Sequence, residues 1–434
     1  MGLLRPRERL LLNALKKESA IRYRGRRMHK RFRSWAQQRV RQYWLPQKVC
    51  LTADPQLMDG QYIAACVQKA ATLRKHDLRL WYSYSKRITE LADTLTPQQM
   101  AYIFYGYGKS FFKHEELYRT LLPYVVEQLP DFHSHALMTV AWALHRVRVN
   151  DKESLIRLGE ETLAKRDIMR PQDFIKITNV LARMGAFGPS LATAISEEML
   201  RVLDGCNALQ FRAAIDDVTI TNLYSDAVKQ YILERFTKTA TCCRPQHFQK
   251  AFQSAVSVRV LCPAVWQQLS KNVRNFYIRL SLKRIPQITR HPSPLHWDVS
   301  KALARLGVFH RNTFHWGCYW IDIGEVADKQ NCWFVDGPAN FYSSTNQYTE
   351  ATKLQHRVLA DLGWNIRRVR WTQWVSLGTD FQAKVDFVKR LRESPPAPPF
   401  LLDGPPTSRA EMLQNLTDSR NTRRMMKRHS ICED

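Results

Sequence analysis

Two basic groups near the carboxyl end of the chain have the chemistry that binds phosphates. Lys353 and Arg357 stand one helical turn apart, so on a helix they would present two cationic donors on a single face. Phosphate oxygens are the natural acceptors for such a pair. The clearest basic patch of this region flanks a predicted strand and consists of Arg367, Arg368 and Arg370.

Three tryptophans follow these cations or lie between them. Trp364, Trp371 and Trp374 carry rings on which unpaired bases stack, and stacking of this kind tolerates any base. The competing interpretation is that at least two of the rings belong to a hydrophobic core, and a core position is favoured for Trp364. Trp371 and Trp374 are therefore the predicted stacking residues.

The surrounding pattern predicts the elements that would position these side chains. Residues 319–323 and 332–336 read as two strands, separated by a polar turn. Residues 349–362 have one apolar face and predict a helix, residues 366–371 predict a third strand, and residues 381–392 predict a final helix. The order strand, strand, helix, strand, helix predicts a small α/β domain.

A 37-residue periodicity precedes this domain. From Ile63, steps of 37 reach Met100, Leu137, Phe174, Phe211 and Phe248. Positions 3, 7, 21 and 25 residues after each of these complete five columns, and of the 30 column positions only Thr162 is not apolar. The first three columns trace one face of a helix and the last two trace a face of a second helix. Stacked helical hairpins of this kind predict an α-solenoid. An irregular helical bundle is the alternative, but it does not require a fixed spacing.

Composition narrows the function. The 434 residues carry a formal net charge of +27, which favours polyanions, with nucleic acid first and an anionic membrane surface second. An aromatic content of 11% argues against a disordered basic protein. Nothing in the sequence predicts a membrane span, a cofactor or a small-molecule substrate. The nine cysteines have no zinc spacing, so reduced thiols in a non-secretory compartment are expected and a metal site is not.

The amino-terminal segment, residues 1–50, has a composition of its own. It holds 15 Lys or Arg against two acids, Glu8 and Glu18. An arginine-rich segment with few acids is typical of an organelle transit peptide, and it equally suits an uncleaved RNA-binding arm. Both interpretations stay open. The cations that would contact RNA in such an arm are Arg24, Arg26, Arg27, Lys30, Arg31 and Arg33.

These patterns predict four regions in the chain. Residues 1–50 form the basic extension, and residues 51–284 form the helical solenoid. Residues 293–393 form the α/β domain. Residues 394–434 form a proline-rich linker and a basic tail.

The α/β segment resembles the RAP domain, an RNA-binding domain named for its abundance in apicomplexans. The ordered pieces that carry the resemblance are the helix 299–307, the strand Ile321-Asp322-Ile323, the Asp-Gly-Pro signature within 334–341, the helix and turn 352–364, and Trp371 with Trp374. Each piece by itself is weak, whereas their order is fairly specific.

The resemblance implies a biological context. RAP domains follow heptatricopeptide-like and octotricopeptide-like helical repeats in organelle RNA-binding proteins. A protein of the mitochondrial matrix, or of another organelle such as a plastid, is then expected. Its implied partners are organelle rRNA or mRNA and mitoribosomal proteins, and its implied role is rRNA binding in mitoribosome assembly or in translation.

The resemblance also raises the question of catalysis. The RAP fold is similar to a trimmed restriction-endonuclease-like fold, in which clustered acids and a lysine surround a divalent metal. Asp322, Asp336 and Lys353 fall in comparable places, but Phe334 stands where a further acid is usual. A vestigial site without catalytic residues is expected. The alternatives are a metal-dependent endoribonuclease for organelle RNA and a protein-binding helical scaffold.

Overall fold

The computed structural model describes residues 49–186, 188–215, 224–243, 245–282 and 291–398. The basic residues predicted between Arg24 and Arg33 lie outside these ranges, as does the basic tail.

Six helix pairs lie in the described residues between Gly60 and Gln268, and one further helix ends at Leu282. First helices begin at positions 60, 97, 134, 171, 208 and 245, and second helices begin at 78, 115, 152, 189, 226 and 263, so each set recurs every 37 residues. The helices are α1 (Gly60–Thr72), α2 (Leu78–Glu90), α3 (Pro97–Ser110), α4 (Glu115–Glu127), α5 (Ser134–Val147), α6 (Lys152–Ala164), α7 (Pro171–Arg183), α8 (Pro189–Asp204), α9 (Ala208–Ile215), α10 (Asp226–Thr239), α11 (Pro245–Leu261), α12 (Pro263–Gln268) and α13 (Lys271–Leu282).

The pairs stack in two layers. Successive first helices contact one another in chain order, from α1 through α3, α5, α7 and α9 to α11. Successive second helices, α2, α4, α6, α8, α10 and α12, do the same. Ile63, Met100 and Leu137 of the first column are fully buried, whereas Phe248 is partly buried. The polar exception, Thr162, is also fully buried, and its hydroxyl donates to the carbonyl of Leu158 at 2.7 Å. This two-layer stack is an α-solenoid, while its membership of a named repeat class stays a prediction.

Two glycines of α3 allow its neighbours to come close. A Cβ on Gly106 would lie 2.3 Å from Cγ1 of Val67 in α1, and one on Gly108 would lie 3.0 Å from Cα of Ala143 in α5. A methyl group does not fit the first position without movement of a neighbouring helix. These glycines therefore set the spacing between the first three pairs.

A four-stranded sheet with flanking helices follows the solenoid. Its strand order is β1-β2-β3-β4, with β1–β2 and β2–β3 antiparallel and β3–β4 parallel. The elements are α14 (Pro294–Arg305), β1 (His310–Trp316), β2 (Tyr319–Glu325), β3 (Asn331–Asp336), α15 (Glu350–Asp361), β4 (Asn365–Arg370), α16 (Trp371–Ser376) and α17 (Phe381–Glu393).

Strand β1 is the element that the sequence did not predict. It lies at the sheet edge and pairs with β2 alone among the described strands, and its side chains are mostly half-buried. An edge strand with polar residues on both faces lacks the apolar alternation that marks a strand. The predicted first strand is consequently the second one of this sheet.

The α/β part packs directly on the solenoid. One face of its hydrophobic cluster, built around Ile321, Val358 and Ile366, is covered by α11 through Phe252 and Val256. The hydroxyls of Ser257 and Tyr319 lie 3.1 Å apart across this contact. Helix α11 therefore belongs to both cores.

No helix within the described ranges is long and apolar enough to cross a membrane. No disulfide bond joins the cysteines whose side chains are described.

Candidate nucleic-acid interface

Strand β4 brings the predicted basic patch next to the predicted acids. It runs parallel to β3, with Arg368 in register with Phe334 and Arg370 in register with Asp336. Because alternate residues of a strand point to the same face, Arg368 and Arg370 share one face and Arg367 lies on the other. The basic run is thus divided between two environments.

Arg368 is buried inside the domain, although the sequence assigned it to an RNA-binding patch. Its Nη1 lies 2.7 Å from Oδ1 of Asp336, and the two side chains are 5% and 0% exposed. The guanidinium also lies over the rings of Phe334 and Tyr348, at 4.8 and 5.4 Å from their centroids. The prediction is corrected: this charge compensates a buried carboxylate instead of facing a ligand.

Arg367 and Trp374 require the same correction. They are 8% and 2% exposed. Arg367 donates from Nη2 to the carbonyl of Arg392 at 2.8 Å and from Nε to that of Leu391 at 3.2 Å, at the carboxyl end of α17, where a cation is favoured. Trp374 lies in the hydrophobic cluster that also contains Val388 of α17. A neighbouring helix covers both side chains, which residue type alone does not show.

The remaining predicted RNA contacts of this domain are partly exposed. Lys353 and Arg357 lie on α15, and Nζ of Lys353 is 3.3 Å from Oε1 of Glu350. Arg370 lies 4.9 Å from the ring centroid of Tyr348. Trp371 is half-buried at the start of α16. Their contact with RNA stays a prediction.

Both carboxylate oxygens of Asp336 are engaged within the protein. Oδ1 accepts from Arg368 and from the side-chain amide of Asn340, and Oδ2 accepts from the hydroxyl of Tyr348 at 3.1 Å. Asn340 ends the short turn that follows the Asp-Gly-Pro sequence, so this hydrogen bond ties the turn to the strand. Asp336 therefore holds the signature loop in place.

Asp322 lies on the neighbouring strand. Its Oδ2 accepts the backbone N–H of Val335 at 2.9 Å, yet burial and the nearby charge of Asp336 raise the pKa of its carboxyl group. A raised pKa opposes the ionised form that a divalent metal requires. The charge of Asp336 thus reaches Asp322, and a vestigial site at these two acids stays a prediction.

Two further residues bear on a metal site: Phe334, where a further acid is usual, and Glu325, the acid nearest to Asp322 along the chain. Phe334 packs in the hydrophobic cluster around Val358. Glu325 is buried at the far end of β2, where, despite that burial, Arg392 and Trp333 hold the pKa of its carboxyl group below the usual value. Within the described residues, no group of three or more His, Cys, Asp or Glu side chains is placed to hold a metal ion.

The loop after the Asp-Gly-Pro sequence contacts the carboxyl ends of two first helices. The hydroxyl of Tyr342 donates to the carbonyl of Arg183 at 2.9 Å, at the end of α7. The backbone N–H of Ser343 donates to the carbonyl of Arg148 at 2.8 Å, just beyond α5. The α/β domain is thus anchored to the same layer of helices that forms the groove described next.

A groove on the first helices is the surface that the sequence did not single out. Its cavity of about 520 Å³ is lined by side chains of α3, α5, α7 and α11, most of which are aromatic or basic. They include Tyr105, Trp142, Arg146, Lys176 and Lys250. The described residues that line it include no carboxylate.

The surroundings of this groove disfavour a charged histidine. Burial and the nearby guanidinium groups of Arg183, Arg148 and Arg146 lower the pKa of His145 to about 4. The sequence does contain a signal for the groove, because basic residues stand 37 positions apart at Lys109, Arg146 and Arg183. These positions stand nine residues after the first column, outside the five apolar columns.

Comparison with known protein families identifies the domain that contains β3, α15 and β4. Residues 333–391 match the family model of the RAP domain, from within β3 into α17. No curated protein matches the chain. The Asp-Gly-Pro loop, helix α15 and strand β4 all fall inside the matched segment. Residues 333–391 of this chain therefore form a RAP domain, and the RAP domain is an RNA-binding domain.

Proposed function

We propose that this protein binds organelle RNA, in the mitochondrial matrix, and acts without catalysis of its own. The observation that carries the proposal is the RAP domain at residues 333–391, in a chain of net charge +27. A field of this sign attracts polyanions over long distances. The solenoid supplies an extended surface beside the RAP domain, which suits an RNA clamp or chaperone.

The proposed role is rRNA binding in mitoribosome assembly or in translation, with mitoribosomal proteins as further partners. The organelle part rests on residues 1–50, whose arginine content and scarcity of acids suit a transit peptide. A plastid is the alternative compartment. Fusing residues 1–50 to a fluorescent reporter tests the targeting, and a diffuse cytosolic signal would leave the segment as an RNA-binding arm.

The absence of catalysis is proposed from the state of the two acids. Asp336 is paired with Arg368, and burial raises the pKa of Asp322. A metal-dependent endoribonuclease needs ionised carboxylates with free oxygens. A protein-binding scaffold is the other rival. The dense positive charge of the groove lined by Arg146 and Lys176 favours RNA over that rival.

Crosslinking in cells, followed by sequencing of the attached RNA, is the decisive experiment. Enrichment of organelle rRNA or mRNA supports the proposal, and the absence of crosslinked RNA contradicts it. In vitro, RNA affinity is expected to fall steeply between about 50 and 200 mM salt, because each phosphate contact releases counterions. Affinity that ignores salt in this range would favour the scaffold.

A further inference from the structure

Two aromatic rings occupy equivalent positions in successive helix pairs. Tyr105 of α3 and Trp142 of α5 are 37 residues apart, and each follows the first-column residue of its pair by five positions. Their ring centroids are 5.6 Å apart with an interplanar angle of 29°, so the rings stack along the solenoid. Both are half-buried and line the groove.

Each ring has a cation one turn further along its helix. Nζ of Lys109 lies 5.4 Å from the ring centroid of Tyr105. The guanidinium of Arg146 lies 6.0 Å from the ring of Trp142 and 3.7 Å from that of Phe111. On the next first helix, α7, Lys176 adds an exposed cation to the groove. Rings and cations therefore alternate along one face.

Packing alone is the competing explanation for the two rings. Trp142 does pack against the solenoid core, but it is only half-buried, whereas Trp81 and Tyr107 are 1% and 0% exposed. The hydroxyl of Tyr107 is 2.9 Å from that of Ser85, within the core. Tyr105 and Trp142 instead line a cavity with basic side chains and no carboxylate among its described lining residues. A groove with aromatic rings and basic side chains suits an anionic ligand that has flat apolar faces.

We propose that the groove binds unpaired RNA bases, which stack on Tyr105 and Trp142 while Arg146 and Lys176 hold the flanking phosphates. The proposal rests on the proposed RNA-binding function and specifies its substrate as single-stranded RNA. Base stacking on aromatic side chains accepts any base, so the groove discriminates strand state rather than sequence.

The dimensions agree with this substrate. The cavity of about 520 Å³ lies in the range of about 300–1,000 Å³ that clefts for single small organic molecules occupy. A base within a duplex has both faces covered by its neighbours and offers none to a protein ring, so recognition through stacking selects unpaired segments.

The test measures binding of the full chain to three labelled probes at low salt. The probes are a short oligouridylate, an oligonucleotide of equal length with the same backbone and no bases, and an RNA duplex. Tyr105→Ala and Trp142→Ala are each expected to weaken oligouridylate binding about 5-fold or more, the loss of one stacked base. Binding of the probe without bases is expected to stay within about 2-fold.

Matched variants separate stacking from folding and from charge. Trp142→Phe keeps an aromatic ring and is expected to retain most of the affinity that Trp142→Ala loses. Tyr82→Ala removes an exposed ring of α2 outside the groove. Lys176→Ala is paired with Lys86→Ala, because both lysines are exposed on helices and only Lys176 lines the groove. Neither outer variant is expected to change binding.

Each outcome has one meaning. Equal losses on the probes with and without bases, or no loss in Tyr105→Ala and Trp142→Ala, would overturn the stacking proposal while RNA binding by the chain stands. Tighter binding of the duplex than of oligouridylate would also overturn it. Failure of the unaltered chain to bind any of the three probes would instead contradict the proposed function.

Discussion

Arg368 and Asp336 form a buried ion pair, with Nη1 and Oδ1 2.7 Å apart and the two side chains 5% and 0% exposed. The guanidinium places a permanent positive charge beside the acid of the Asp-Gly-Pro signature. Tyr348 and Asn340 occupy further acceptor sites of the same carboxylate. The pair thus joins strands β3 and β4 to the loop that contacts the solenoid.

Arg368→Met is expected to destabilise the RAP domain by about 3–5 kcal/mol, because it leaves a buried carboxylate without its partner. Urea unfolding followed by circular dichroism measures the change. Asp336→Asn combined with Arg368→Met is expected to cost less than the sum of the two single changes, since the double variant carries neither charge. Additive losses would show that the two side chains do not stabilise each other.

Incubation of the purified protein with single-stranded and structured RNA, with Mg²⁺ or Mn²⁺, is expected to leave the RNA intact. The carboxylate of Asp336 is already paired with Arg368, and Phe334 provides no ligand for a hard cation. Gel analysis of end-labelled RNA measures cleavage. Cleavage by the unaltered chain that disappears in a folded Asp336→Ala variant would establish the endoribonuclease alternative.

Gly106→Ala is expected to destabilise the solenoid by about 1–3 kcal/mol, because the added methyl group would overlap the side chain of Val67. The matched control is Gly205→Ala. A Cβ there would lie no closer than 3.8 Å to any neighbour, and the backbone φ of −74° suits alanine. This control is not expected to lower stability. Similar midpoints of thermal unfolding for both variants would contradict close packing of α1 on α3.

Acid is expected to weaken the solenoid partly through His145. Burial and the neighbouring arginines lower its pKa in the folded protein to about 4, whereas an unfolded histidine titrates near about 6.5. Between these values the unfolded state binds more protons, so stability falls as pH decreases, by up to about 3 kcal/mol.

The variant His145→Gln removes this titration. Its free energy of unfolding is expected to depend less on pH than that of the unaltered protein, and the difference between them should lie between about pH 6.5 and pH 4. His114, His133 and His356 also have lowered pKa values, so both proteins retain some dependence. Parallel stability curves for the two proteins would contradict the burial of a neutral His145.

The sequence alone was sufficient for the solenoid, for most of the α/β elements and for the RAP resemblance. Apolar residues such as Ile63 and Met100 stand 37 positions apart, because each helix pair must bury the same apolar face against its neighbours. The need for burial therefore makes residue type periodic along the chain. Most strands and the Asp-Gly-Pro signature were predictable because each depends on the types and spacing of residues that are close together in the sequence. Strand β1 was missed because an edge strand need not alternate.

Only the tertiary structure decided which charged and aromatic side chains reach a ligand. Arg367, Arg368 and Trp374 read as RNA contacts in the sequence, yet β3, α17 and their neighbours bury them. Tyr105 and Trp142 became candidate RNA contacts only in the folded chain, because α3 packs against α5 and places the two rings side by side. Exposure and proximity are properties of the packed chain, since a side chain's partners come from segments that lie far away in sequence.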